Sequence, residues 1–160
     1  MGVPKIEIDI GENDPSLDEL VASIRRETSE EGAGAIVAFI GFVKGVVDGK
    51  RVEKLVYTTY DKYIRKIMYD LVRKVVEKYG NLRKVYVYHK IGELSPGDTT
   101  IYILVSAVDR NTGFNAAREV LETIKHHAPI FKLEVRDDGE FWVIGDKRID
   151  RSSIKKKDSS

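Results

Sequence analysis

The sequence predicts an α+β fold, mainly antiparallel, with about three helices packed on the sheet. Three observations carry this reading: strand-like alternation and helix-like spacing interleave along the chain, Asp48-Gly49 marks a tight turn, and a second hairpin is signalled around Asp137-Asp138-Gly139. Lys5 to Ile10 alternates strictly and reads as a strand. After the Asn13-Asp14-Pro15 turn, Ser16 and Glu19 form a capping-box signature for a helix from Leu17 to about Ser29, broken by Gly32-Ala33-Gly34. Ala35 to Val43 is a continuous apolar run, which predicts a strand buried on both faces, with Gly41 admitting a close backbone neighbour. Arg51 to Thr59 is the next strand. Tyr60, Ile64, Ile67, Met68, Leu71, Val75 and Tyr79 fall on one stripe and predict a helix that Gly80 stops. Val85 to His89 is a strand, Ile91 to Asp98 a loop, and Thr100 to Val108 the most strongly patterned strand. A helix is expected from Phe114 to about His127, ended by Pro129. Ile130 to Arg136 and Phe141 to Ile144 pair as a hairpin. The polar stretch 146–160, with Lys155-Lys156-Lys157, reads as a frayed tail after a single domain over 1–145.

Composition removes several kinds of chemistry. The chain has 160 residues, 42% of them hydrophobic and 33% charged, so it holds enough apolar material for a core. With 27 basic against 26 acidic residues, a net charge of +1 argues against bulk nucleic-acid binding. There is no cysteine, which excludes disulfides, Cys-ligated metals, a thiolate nucleophile and a protein-bound persulfide. Three histidines leave little material for a metal site, and neither metal nor cofactor is expected. No apolar run approaches the ~18 residues of a membrane span, and Met1 to Ile10 has no signal-peptide pattern, so a cytoplasmic location is expected.

The most informative segment is Lys125-His126-His127-Ala128-Pro129-Ile130-Phe131-Lys132. On a helical wheel Phe114, Ala117, Leu121 and Ala128 define an apolar stripe, and Lys125 projects from it. Such a lysine either lines a pocket, where desolvation lowers its pKa, or satisfies the last carbonyls of its helix. Position alone favours the second. Lys132 shares a strand face with Glu134 and Arg136, and reversal at Pro129 can bring it back towards Lys125. Asp109-Arg110, between a buried strand and a helix, has the makings of an anion site, although an ordinary surface ion pair fits as well. Lys44 ends the apolar run beside Gly45 in a similar place. The pair His126-His127 has no identifiable acidic partner and reads as structural. Tyr57, Tyr60, Tyr63, Tyr86 and Tyr88 invite a base-stacking idea, but strand aromatics are usually packing residues.

Taken in order, four segments resemble the catalytic subunit of molybdopterin synthase. They are Gly34 to Gly41 followed by Val43-Lys44; His89-Lys90-Ile91-Gly92-Glu93-Leu94-Ser95-Pro96-Gly97-Asp98; Asp109-Arg110 before the third helix; and Lys125-x-x-Ala128-Pro129-Ile130-Phe131-Lys132. The resemblance spans roughly Gly34 to Trp142. It implies an α/β-hammerhead-like fold and a homodimer, with a small ubiquitin-like sulfur carrier docked at each end to make a heterotetramer. It implies that two sulfurs pass from the carrier's Gly-Gly thiocarboxylate to cyclic pyranopterin monophosphate, forming the dithiolene. A sulfurtransferase without thiols must receive its sulfur on a partner, which agrees with the missing cysteines. By matched position Lys125 and Lys132 resemble the catalytic lysines and also contact substrate, while Lys44, Asp109 and Arg110 match substrate-holding positions. The family pattern has His before the arginine where this chain has Asp109, and Arg where it has Lys44; the first loses a donor and the second a bidentate fork. Two other readings are a scaffold that binds such a carrier without chemistry and a nucleic-acid-binding α+β domain.

Overall fold

The computed structural model describes residues 3–145 and 147–153. Its elements, in chain order, are β1 (Lys5–Gly11), α1 (Leu17–Thr28), β2 (Ala35–Phe42), β3 (Val46–Val47), β4 (Lys50–Thr58), α2 (Ile64–Val76), β5 (Leu82–Lys90), β6 (Gly92–Leu94), β7 (Thr99–Ala107), α3 (Arg110–His127), β8 (Phe131–Arg136), β9 (Gly139–Ile144) and β10 (Lys147–Asp150). A 3₁₀ turn, Ser29–Glu31, follows α1. The strands form two sheets, ordered β1-β5-β7-β2 and β10-β9-β8-β4-β3, with β6 also bonded to β4. All pairs are antiparallel except β1 with β5. The α+β class and the hammerhead-like arrangement expected from the sequence both hold.

Alternation on β5 and β7 explains why the first sheet is covered on both faces. Val85, Val87, Ile103 and Val105 pack against Met68 and Val72 of α2 and Val120 and Ile124 of α3. Their neighbours Tyr86, Tyr88 and Leu104 face Ile24 of α1. The buried tyrosine hydroxyls are satisfied: Tyr86 donates to Asp9, and Tyr88 to the carbonyls of Gly11 and Asn13. These aromatics are packing residues with occupied polar tips, which takes Tyr86 and Tyr88 out of the base-stacking idea. A smaller core of Val43, Val47, Val52, Leu55 and Leu94 joins the second sheet to the β2–β4 connection.

Several expectations are corrected. The apolar run is not buried on both faces: among the described residues β2 is the edge of the first sheet, bonded only to β7, and leaves Phe39, Ile40 and Phe42 exposed. Gly41 does admit the expected close neighbour, since a Cβ there would lie 2.8 Å from Thr100 Oγ1. α2 starts at Ile64 because the Asp61 carboxylate accepts the Tyr63 N–H, an Asx turn that diverts the backbone from helix. It ends at Val76, where bonds from Lys78 to Val75 and from Tyr79 to Val76 tighten the chain ahead of Gly80. Gly92–Leu94 is a strand within the expected loop, its partner β4 being remote in sequence. α3 starts at Arg110, four residues early, because Asp109 caps it. Lys147–Asp150 is a strand rather than frayed tail, paired with β9 through alternation too short to stand out in the sequence; residues 154–160 lie outside the described residues.

Candidate active site

The Pro129 turn brings the two central lysines together. α3 ends at His127, the Ala128 N–H closes the last turn on Ile124, and the Thr59 hydroxyl donates to the Pro129 carbonyl at 3.0 Å. That anchor sends β8 back along β4, with Lys132 directly opposite Tyr57. Lys132 is partly buried, and burial pushes its amine below the usual lysine range. Arg148, Lys125 and Lys44 push it the same way, and Glu134 opposes them. Three of the residues singled out in the sequence, Lys44, Lys125 and Lys132, are therefore close enough to share one electrostatic field.

Each cation is held differently. Lys125 is exposed on the last turn of α3, and the stripe it was expected to share lies elsewhere: Gly113, Ala116, Ala117, Val120 and Ile124 are the buried positions, while Phe114 is 64% exposed. The reason is close seating: Gly113 packs directly on Val37 of β2 and Ala107 of β7, where a Cβ would lie 2.9 Å from Val37 Cγ2, so the small-residue face meets the sheet and Phe114 is turned away from it. Lys125 thus borders the core instead of pointing into it. Lys44 is exposed too, on a backbone pinned by the loop that follows β6. There the Val43 N–H donates to the Asp98 carbonyl, and the Val43 carbonyl accepts from Gly97, whose φ of 90° needs glycine. The Asp98 carboxylate closes the loop on the Ser95 N–H. The Ser95-Pro96-Gly97-Asp98 motif therefore acts by fixing Lys44.

Asp109 and Arg110 lie apart from this cluster within one chain. They open the 18-residue α3 that Lys125 ends, so about 22 Å of helix separates positions 110 and 125. The Asp109 carboxylate accepts from the Thr112 N–H, the Thr112 hydroxyl and Asn81, leaving it engaged as a helix cap. Arg110 is exposed. His126 and His127 are exposed as well, with His126 Nδ1 donating to the Glu122 carbonyl. A surface groove of about 510 Å³ beside the α3–β8 turn is lined by Tyr60, Asp61, Lys62, Tyr63, Pro129 and Phe131; Lys44, Lys125 and Lys132 are not part of its lining.

Beneath the lysines lies a polar layer that strand patterning hinted at only through Glu134. Tyr57 meets His89 edge to face, their centroids 4.9 Å apart. Burial drives the His89 pKa down to about 4, helped by Lys132, so the ring is neutral at pH 7. Its Nδ1–H donates to the Lys90 carbonyl at 2.8 Å. Burial drives the Tyr57 hydroxyl up to about 12, against a hydrogen bond with Thr100. Glu134, 2% exposed, binds Arg148 through two contacts of 2.9 and 3.3 Å. Strand alternation placed Glu134 on the face of Lys132; nothing in the sequence tied His89, Tyr57 or Arg148 to it.

The model of the MoaE protein family matches residues 10–127 of this chain, well over half of it. The chain belongs to the MoaE family, that of the molybdopterin synthase catalytic subunits. Among MoaE relatives, the molybdopterin synthase catalytic subunit of Pyrococcus abyssi is 33% identical over 149 residues, 93% of this chain and 97% of that protein. The same subunit of Synechococcus elongatus is 35% identical over 113 residues, 70% of this chain and 68% of that one. A crystal structure of molybdopterin synthase from Staphylococcus aureus superposes with a TM-score of 0.70 at 28% identity, covering 89% of this chain and 98% of the other. The molybdopterin biosynthesis MoaE protein of Burkholderia ambifaria, 24% identical, shares the fold with a TM-score of 0.73 over 96% of this chain and 98% of its own.

Proposed function

We propose that this chain is the catalytic subunit of a molybdopterin synthase in the cytoplasm, transferring two sulfurs from the thiocarboxylated C-terminus of a small ubiquitin-like carrier to cyclic pyranopterin monophosphate. One observation carries the reading: Lys125 and Lys132 converge at the Pro129 turn in a chain with no thiol of its own. An anionic carrier tail and an anionic precursor both suit that field. Lys125, the more exposed amine, stabilises negative charge that develops as sulfur is delivered. Lys132, with its lowered pKa, takes up or returns a proton at the same centre. Lys44 and Arg110 hold the precursor's anionic group.

A homodimer resolves the distance between Arg110 and the lysines. The outer edge of β2 offers unpaired backbone groups and exposed Phe39, Ile40 and Phe42, a surface suited to antiparallel pairing with its own copy. The Gly34 N–H donates to the Ala107 carbonyl at 3.0 Å, so the start of β2 lies beside the strand end that leads to Arg110. The other end of β2 leads to Lys44. Twofold pairing across β2 therefore sets the Arg110 of a second copy near Lys44 and its cluster.

The test is reconstitution with thiocarboxylated carrier and the cyclic precursor. Dithiolene product is expected from the wild type, and Lys125→Ala is expected to lose at least ~10²-fold in rate while keeping its fold. Carrier binding without product in the wild type would favour the scaffold reading; near-normal turnover of Lys125→Ala would remove that residue from the mechanism.

A further inference from the structure

The charged and titratable side chains around Lys132 come from five elements and the β2–β3 connection. On its own strand stand Glu134 and Arg136. Arg148 reaches over from β10, Lys125 from the end of α3 and Lys44 from the connection, while Tyr57 of β4 and His89 of β5 lie beneath. Register places Tyr57, Lys132, Val143 and Arg148 in one row across β4, β8, β9 and β10. Leu55, Glu134 and Phe141 form the next row on the same face. Arg148 crosses from its row to the next and grips Glu134, Nε to Oε1 at 2.9 Å and Nη2 to Oε2 at 3.3 Å.

The consequence concerns which cation the buried carboxylate holds. Glu134 is two residues from Lys132 on one strand face, the natural partner for its amine, yet among the described residues Lys132 forms no ion pair. Both Glu134 oxygens are turned to the guanidinium. Arg136 does not compete strongly, its Nη1 standing 3.8 Å from Glu134 while its Nε binds Asp138 at 2.9 Å. A planar two-donor fork fits a carboxylate better than a single ammonium does, so arginine wins this contest on geometry.

We propose that Arg148 is a positioning residue for Lys132: by occupying Glu134 with a two-point ion pair, it keeps that carboxylate from capturing the lysine amine and leaves the amine free for an incoming anionic substrate. The inference rests on the synthase reading for its functional meaning, and its first readout is independent of turnover. Lys132 is labelled with trace acetic anhydride across pH 7–10 in the full chain, and its peptide is quantified by mass spectrometry. In Arg148→Ala the freed Glu134 pairs with Lys132, and labelling at fixed pH is expected to fall roughly tenfold, the counterpart of about one pKa unit. Arg148→Lys restores part of it. The double variant Glu134→Gln/Arg148→Ala returns to at least the wild-type rate, an outcome that loss of packing would not give. Glu134→Gln alone raises labelling, which keeps the test decisive if Arg148→Ala does not fold. Unchanged Lys132 labelling in Arg148→Ala, or a double variant no better than the single, would overturn the proposal. In the sulfur-transfer assay Arg148→Ala should shift the basic limb of the kcat profile upward in pH. A wild type that makes no product would sink the synthase reading while leaving the labelling result to decide the role of Arg148.

Discussion

His89 shows how one buried side chain links the motif to both stability and the site. The sequence presents it as part of a loop motif; the fold buries it as a neutral ring under Tyr57, with a pKa of about 4 against an ordinary value of 6.5. Because the folded value is depressed, the unfolded chain binds more protons between those limits. Stability is therefore whole above about pH 6.5 and is lost as pH falls towards 4, by about 3 kcal/mol at the lower end. Urea unfolding at pH 7 and at pH 4.5 should show this decline in the wild type, and His89→Asn should flatten the part of the slope that belongs to the histidine. An equal decline in both would assign the acid sensitivity to other groups. The lysines were singled out in the sequence by the family resemblance, since position alone read Lys125 as a cation at its helix end. The layer below them was not, because Tyr57 and Arg148 come from β4 and β10 of one sheet and His89 from β5 of the other, brought together only by register within the second sheet and by contact between the two.

At the scale of elements, helix α3 is one whose start and buried face sequence patterning misplaced, and it organises the most chemistry. Its first turn holds Arg110 and its last turn Lys125. Asp109 defines where it begins, accepting from the Thr112 N–H at 2.9 Å and the Thr112 hydroxyl at 3.0 Å. Asp109→Ala should lower the melting temperature by a few degrees and loosen Arg110, whereas Asp109→Asn, an equally good cap, should keep both. A melting temperature insensitive to alanine would deny the cap its role. The Asx turn at Asp61 and the cap at Asp109 displaced two predicted helix starts by the same number of residues in opposite directions, since a carboxylate near a helix start either diverts the chain or nucleates it. Strands β5 and β7 and the closing hairpin were legible from alternation alone. β6 and β10 were not, being three and four residues long and defined only by their partners.

For the whole molecule, the decisive question is whether one chain or two make a site. Burial of β2 was expected because its sequence is apolar throughout, and the isolated chain leaves Phe42 65% exposed at that edge. An edge strand so apolar has no charged residue between Ala35 and Val43 to blunt it, which suits it to pairing with a second copy. If two copies join there, each site takes Lys125 and Lys132 from one chain and Arg110 from the other. Complementation reads this directly. Arg110→Ala and Lys125→Ala are each expected to turn over poorly at limiting precursor. Mixed and allowed to exchange subunits, half the dimers carry both variants, and in each of those one site has every residue intact while the other lacks both. About a quarter of the wild-type activity should return. Were Arg110 to serve the lysines of its own chain, no mixture could assemble an intact site and nothing would be regained. Ile40→Lys, which places a charge in the apolar edge, should shift the molecular mass in light scattering towards the monomer and abolish the recovery.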